Sequence, residues 1–564
     1  MQHRRLLAAL LLTLAGCASN GLDAIDREVT QVLRQQHRDT LGPYAPIDAA
    51  LAPSRDADPR PASRAYDRSP PTNNPSAANL PARAAGPGDL PEVDASNEPM
   101  LTFGLTESLL YAVEHSREYR SRKEDLFVAV ISLLIEKHLW GPRFFNDVTA
   151  SFTGTPEAGD HAHAFSLIND LRVTQRLPSG GEVSVGAVVS FVEQLRAAAG
   201  STADDAQSAD LRMSASIPLL RGAGKVAQED LTQAYRDLVY ATREFEQFRQ
   251  QFLVEVSTAY FTLIQLQGSI ENVQKQLASF EGLAKRTAAL ADSGRQPFFE
   301  VQRAQQQVLS ARNNLLSTRE RYQNRLDAFK INLGMPTTQK LTLVPIQIEV
   351  PIPVLKMDES TRTAWDLRLD LQTSQDQIDD ARRRVEVAKN KMQADLNLFA
   401  DVTLPTDPNK KRAGVDLDPG HGRYNAGVTL GVPLDRRIEA LQHRTSLINL
   451  ERAQRAYTQL RDTLALGVRD AIRNIELAQA TLALQTVNVE LADRRITEVQ
   501  LRERTLGPRD LIEAEDELLE AKDRLDQASR DLRVNVLNYL LATGQMRVSS
   551  TGQWQAPAKL TVMK

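Results

Sequence analysis

Residues 222–290 and 434–505 contain no proline and are rich in Ala, Leu, Gln, Glu and Arg, side chains that lose little on entering a helix. Each stretch has about 70 residues, so at 1.5 Å per residue each predicts a helix of roughly 105 Å. Helices of that length have to lie along one another in coiled-coil-like layers. Shorter helical segments are predicted at about 105–140, 298–333, 360–392 and 510–543, with a further short helix over 22–38.

Between the helices the period changes to two. Leu396, Leu398, Ala400, Val402 and Leu404 alternate with Asn397, Asp401 and Thr403, with Phe399 as the exception. Tyr424–Val432 alternates throughout, and Leu211–Leu219 and Phe144–Phe152 follow the same pattern. An additional pair, Leu171–Leu177 and Val183–Phe191, flanks Pro178-Ser179-Gly180-Gly181, a hairpin signal. Such alternation suits a lipid-facing barrel strand and equally a soluble half-buried sheet. The chain after residue 20 holds no long uncharged apolar run, so any membrane-crossing part has to be a β-barrel.

The pattern occurs twice. Asp147-Val148-Thr149 has a counterpart in Asp401-Val402-Thr403, and Pro218-Leu219-Leu220-Arg221 in Pro433-Leu434-Asp435-Arg436. Pro218 and Pro433 are expected to close a strand and open a long helix. Each long helix is expected to end near a glycine, Gly294 or Gly507. Glu300-Val301-Gln302-Arg303-Ala304 and Asp510-Leu511-Ile512-Glu513-Ala514 follow, each with a further alanine, Ala311 and Ala521, one heptad on. Gly334 and Gly544 stand where the return helices should stop. Each half therefore reads as a short helix pair, strands, a long helix, a tight turn and a return helix. Four main strands are too few to close a barrel, since about eight is the smallest. Three chains supply about twelve, which makes oligomerisation part of the expectation.

Composition narrows the class. Net charge is −4 with a quarter of residues charged, which argues against nucleic acid as a partner. Residues 43–99 hold 12 of the 27 prolines and cannot bury enough apolar surface to offset their ordering entropy, so they read as a tether. His3, Arg4 and Arg5 precede the apolar run Leu6–Leu14 and then Leu14-Ala15-Gly16-Cys17. A basic start, a short apolar core and small residues make a secretory signal. The last four residues resemble a bacterial lipoprotein cleavage site. That resemblance makes Cys17, the sole cysteine, the lipid attachment point, and Ala18 after it favours the outer membrane.

No catalytic constellation emerges. Gly180-Gly181 has no Gly-Lys-Ser/Thr after it, and no Gly-x-Ser-x-Gly or zinc-helix motif is present. His161 and His163 are expected on an outer loop, without a third ligand in pattern, so no metal is assigned. Neither an enzymatic activity nor a cofactor is expected.

In this order, twice, these motifs resemble the TolC-like outer-membrane efflux protein family over roughly residues 101–546, with Arg368-Leu369-Asp370-Leu371 as a further carrier. The resemblance implies an α+β membrane protein. Its trimeric transmembrane β-barrel, of twelve strands, is continued by a long periplasmic α-helical coiled-coil barrel, with two internal repeats per chain. It implies a homotrimer in outer membrane lipid, working with a periplasmic adaptor protein and an inner-membrane transporter that supplies the energy. The function implied is the passive channel component of a tripartite efflux or type I secretion system. The alternative is a structural, lipid-anchored periplasmic coiled-coil scaffold or adaptor.

The resemblance also implies that acidic residues of the second tip line a periplasmic aperture. Here these are Asp510 and Glu513, three apart and so on one helix face, with Glu300 the first-half counterpart of Asp510. Helix capping explains the same acids equally well. Arg295 and Arg509 beside the turns are candidates to pair with acids on neighbouring helices. Two departures stand out. The hairpin near 165–192 lies outside the family's simplest pattern, and the second tip is shorter than the first, Ala514 following Gly507 more closely than Ala304 follows Gly294. The expected organisation is a signal peptide (1–16), a lipid-anchored N-terminal segment (17–100), a first repeat (101–335), a connecting segment (336–359), a second repeat (360–546) and a C-terminal tail (547–564).

Overall fold

In a computed structural model the described residues are 22–41, 100–157, 160–196, 206–345, 355–407, 416–502, 508–548 and 554–555. Cys17, the signal segment, the proline-rich stretch and Gly507 lie outside them. The elements run α1 (Leu22–Leu41), β1 (Leu101–Phe103), α2 (Leu105–His115), α3 (Arg117–Leu139), β2 (Arg143–Glu157), β3 (Asp160–Arg176), β4 (Glu182–Arg196), β5 (Ala206–Pro218), α4 (Glu229–Asp292) and α5 (Phe298–Leu333). They continue with β6 (Leu341–Leu343), α6 (Met357–Leu367), α7 (Leu369–Asn390), β7 (Asp395–Pro405), β8 (Arg423–Gly431), α8 (Arg437–Leu501), α9 (Pro508–Ala542), β9 (Arg547–Val548) and β10 (Trp554–Gln555). At 64 and 65 residues, α4 and α8 are each roughly 96–98 Å long.

The segments Met1–Phe127, Arg243–Leu369 and Arg461–Lys564 form one compact unit, and Val128–Thr242 with Asp370–Leu460 form the other. The second unit holds one antiparallel sheet in the order β2-β3-β4-β5-β7-β8. The β3–β4 hairpin is thus not an appendage: it sits between β2 and β5, paired along its length on both sides. Among the described residues this sheet therefore has six strands, the four main ones and the hairpin pair. The alternation in each strand was legible, but alternation does not say which strand lies beside which.

The register stacks like with like. Phe144, Val173, Val185, Met213, Val402 and Tyr424 lie on one rung and one face. The rungs on either side of it on that face carry Leu171, Ala187, Leu211 and Leu404, and Val183, Ala215, Ala400 and Ala426. Asn146 and Gln175 are the polar residues on those two rungs, and Asn169 lies one rung further on, beside Val148 and Val189. The opposite face carries Asp147, Asp170, Arg172, Asp210, Arg212, Asp401 and Arg423, with serine pairs Ser184–Ser214 at 2.6 Å and Ser190–Ser208 at 2.7 Å between strands. Phe399, the break in the alternation, lies on this polar face opposite Gly427. Its ring covers the glycine: a Cβ there would sit 2.8 Å from Phe399 Cζ. Gly427 is the space that Phe399 occupies.

The strand–helix joints differ between the halves. Pro218 does end β5, but α4 opens only at Glu229, after a 3-10 turn over Gly224–Gln228. The intervening chain still follows the sheet: Leu219 N donates to Leu396 O at 2.7 Å, and Gly222 N to Asn390 Oδ1 at 2.7 Å. At the second joint α8 opens at Arg437, directly after Pro433-Leu434-Asp435-Arg436, with Asp435 Oδ1 accepting from Arg437 N. The predicted segments 105–140 and 360–392 are each two helices, broken at Ser116 and Arg368, both extended in backbone. His161 and His163 belong to β3 rather than to a loop, and the His163 ring stacks on Phe152.

Within the same unit α7 is tied to α4 by a buried carboxylate. Asp380 accepts from Tyr240 Oη at 2.6 Å, Arg236 Nε at 3.0 Å and Arg383 Nη1 at 2.9 Å. Burial, with the carboxylate beside it, pushes the Tyr240 hydroxyl well above its ordinary range.

The first unit is helical apart from short strands, with β1 parallel to β6. Gly334 and Gly544 end the return helices in the left-handed region, at φ 84° and 67°, as the sequence suggested. In α1, Val29, Leu33 and His37, four residues apart, form a buried stripe.

Candidate functional site: the helix tips and the polar sheet face

The tips belong to the first unit. Gly294, at φ 73°, turns the chain out of α4, while Gly294 N donates to Ala291 O and Arg295 N to Leu290 O, both at 2.9 Å. Pro297 then caps α5. Behind the turn the two hairpins share one core. Ala304 and Ala311 of α5 and Ala514 and Ala521 of α9 are all buried there, with Phe280, Leu283, Ile496, Val499, Leu511, Ile512 and Leu518. The heptad-spaced alanines picked out in sequence are therefore packing positions, small enough to let helices approach closely.

Of the candidate residues, Glu300 lies in the first turn of α5 and pairs with Arg303 at 3.1 Å; Arg303 also lies over the Phe299 ring. Asp510 lies in the first turn of α9, where the helix dipole favours an acid. Because α9 opens at Pro508, Asp510 is inside the helix rather than ahead of it, so the capping-box arrangement is not formed by this pair. Arg509 Nε donates to Glu513 Oε1 at 2.7 Å, one turn along its own helix, and that carboxylate raises the guanidinium further above its ordinary range. The structure thus brings Arg509, Asp510 and Glu513 together at one helix start, with Glu300 at the start of α5.

A second acidic array was missed in sequence. Along α9, Glu515 accepts from Ser279 Oγ, Asp516 from Gln276 Nε2 at 2.8 Å, and Asp523 and Asp526 from Asn272 Nδ2, each at 3.3 Å. Burial raises the carboxyl pKa of all four above the usual range, partly offset by those donors. The signal was present in α4: Ser269, Asn272, Gln276 and Ser279 recur at three- and four-residue spacing, a polar stripe on one helix face. Its partners lie more than 230 residues away, which periodicity does not reveal.

On the sheet of the other unit, two neighbouring rungs of the polar face carry opposite charges. One holds Arg172, Arg212 and Arg423, the next Asp147, Asp170 and Asp210. Arg172 reaches Asp147 at 2.9 Å across the strands, and Arg212 reaches Asp210 at 3.0 Å. Among the described residues no helix is long and apolar enough to cross a membrane. Asp407, Asp418 and His421 come close enough to share an ion, but nothing in the structure points to one there.

The chain combines a sheet apolar on one face and charged on the other with paired long helix hairpins, and proteins with this fold include outer-membrane channels. Residues 183–334 match the family model described as Outer membrane efflux protein. The Campylobacter jejuni CmeC outer membrane channel is similar in fold, with TM-score 0.59 and 13% identity, covering 78% of this chain and 85% of that one. The outer membrane protein VceC from Vibrio cholerae gives 0.58 and 16%, covering 78% and 96%. The Neisseria gonorrhoeae MtrE outer membrane channel in its open state gives 0.56 and 14%, covering 78% and 88%. No curated protein matches the chain. The resemblance to TolC-like outer-membrane efflux proteins is thereby shown, by the family domain within 183–334 and by the shared fold.

Proposed function

We propose that this chain is the outer-membrane channel component of a tripartite efflux or type I secretion system. It is a passive conduit from periplasm to exterior, lipid-anchored at Cys17, and works as a homotrimer with a periplasmic adaptor and an inner-membrane pump. The observation that carries this reading is the sheet. Its strands are 9 to 17 residues long, and about 9–11 tilted residues cross a bilayer. Phe144, Val148, Phe152, Tyr424, Val428 and Leu430 leave large apolar surfaces exposed on the face the register makes continuous. Lipid on that face and water on the charged face satisfy both. A coiled-coil scaffold would account for the helices and leave that sheet without a purpose. Asp510, Glu513 and Glu300 are assigned to the aperture, where copies around one axis make a cation-attracting ring. The exposed Phe298 and Phe299 beside the first turn give an adaptor an apolar foothold.

Fractionation tests the reading. The chain is expected in the outer membrane as an oligomer that survives detergent and changes electrophoretic mobility on boiling. Release by alkaline wash as an unassembled helical chain would favour the scaffold instead.

A further inference from the structure

The sheet ends in two edges. Among the described strands β2 pairs only with β3 and β8 only with β7, so each presents a row of backbone N–H and C=O groups with no strand opposite. In hydrocarbon such a row has no water to satisfy it, and an open sheet edge is not tolerated there. Six strands are fewer than the roughly eight of the smallest membrane barrels, so one copy does not close on itself.

We propose that β8 of one copy pairs with β2 of a second copy, with the β3–β4 hairpin as a full member of the wall, so that each copy supplies six strands to the barrel instead of four. This inference rests on the channel reading and deepens it. Three observations carry it. Each strand is antiparallel to its neighbour, so with an even number per copy β8 meets the next β2 antiparallel and no parallel junction arises. The exposed Phe144, Val148 and Phe152 of β2 share the apolar face with Tyr424, Val428 and Leu430 of β8, so the joint continues both faces unchanged. The hairpin is also bound into the sheet on its polar side, Arg172 of β3 reaching Asp147 of β2 and Ser184 of β4 reaching Ser214 of β5.

Six strands from each of three copies make eighteen. Barrel diameter grows about linearly with strand number, so the bore has roughly twice the cross-section of a twelve-stranded one. The Arg172–Arg212–Arg423 and Asp147–Asp170–Asp210 rungs would then line a wide polar bore suited to bulky, hydrated cargo. The hairpin is a self-contained insertion. Through it, Phe144 of β2 is aligned with Met213 of β5 and Val148 with Ala209. Excising residues 160–196 therefore lets β2 meet β5 antiparallel with the faces still matched.

Electron cryo-microscopy of the purified full-length oligomer in lipid discs tests this by counting strands. Six wall strands per copy, with a β8–β2 joint between copies, is the expected result, together with four per copy and a narrower bore in the excision variant. A closed barrel with four strands per copy, and the hairpin of the intact protein outside the wall, would overturn the inference while leaving the channel standing. Absence of any closed barrel would overturn both.

Discussion

His37 offers a titratable lock on the N-terminal helix. It is 2% exposed and sits on the same face of α1 as Val29 and Leu33. Burial, and then the Arg249 guanidinium nearby, pull its pKa from 6.5 down to about 4. Among the described residues no hydrogen-bond partner reaches its Nε2, so a proton added there gains no acceptor from them. The sign follows from linkage. The unfolded or undocked helix binds the proton below its ordinary pKa and the docked one does not, so stability is lost as pH falls from 6.5 toward 4. At 1.36 kcal/mol per unit, acidification from pH 7 to pH 5 weakens docking by about 2 kcal/mol, or roughly thirtyfold in the opening equilibrium. Hydrogen exchange of the α1 amides, corrected for intrinsic rate, reads this directly. Protection in 22–41 should fall by that factor in the wild type, and His37→Gln should remove the pH dependence. An equal pH slope in both proteins would refute the reasoning.

Three further outcomes are expected. Asp380→Ala removes the acceptor of Tyr240, Arg236 and Arg383 at once and should cost about 3 kcal/mol in thermal unfolding. The exposed Asp379–Arg382 pair is the control, since Asp379→Ala should cost less than about 1 kcal/mol; equal effects would contradict the buried lock. The buried carboxyls of Asp516, Asp523 and Asp526 have raised pKa values, so their contribution is most favourable when protonated and declines as pH rises through those values. Asn at all three positions should therefore flatten that part of the pH–stability curve and raise stability at neutral pH, and an unchanged curve would argue that water reaches them. Asp510→Ala with Glu513→Ala should lower cation selectivity and weaken block by divalent ions in single-channel recordings; unchanged selectivity would remove these acids from the aperture.

Element type was legible wherever one period ran long. The segment Phe298–Leu333 is the helix predicted for it, α8 falls inside the stretch 434–505, and α4 runs two residues past the end of the stretch 222–290. The alternating runs became β2, β5, β7 and β8, with the hairpin as β3 and β4. Adjacency was not legible, because it depends on pairing across the sheet. The hairpin's place between β2 and β5 follows from cross-strand partners, not from its own alternation. Phe399 looked like an error in the pattern because its explanation is the missing side chain of Gly427 on the next strand. The tip acids were singled out by motif, and the pairing of Arg509 with Glu513 along its own helix was not read from it. The array on α9 escaped notice because a run of acids on an amphipathic helix reads as a solvated face until the donors on α4 are brought against it.

The central claim is that this sheet, assembled from several copies, makes a water-filled pore through a lipid bilayer. Single-channel conductance of the purified full-length protein in a planar bilayer tests it most directly. The account predicts insertion and a discrete, cation-selective conductance that divalent ions reduce. Protein that binds the bilayer surface without inserting, and never passes current, would contradict it.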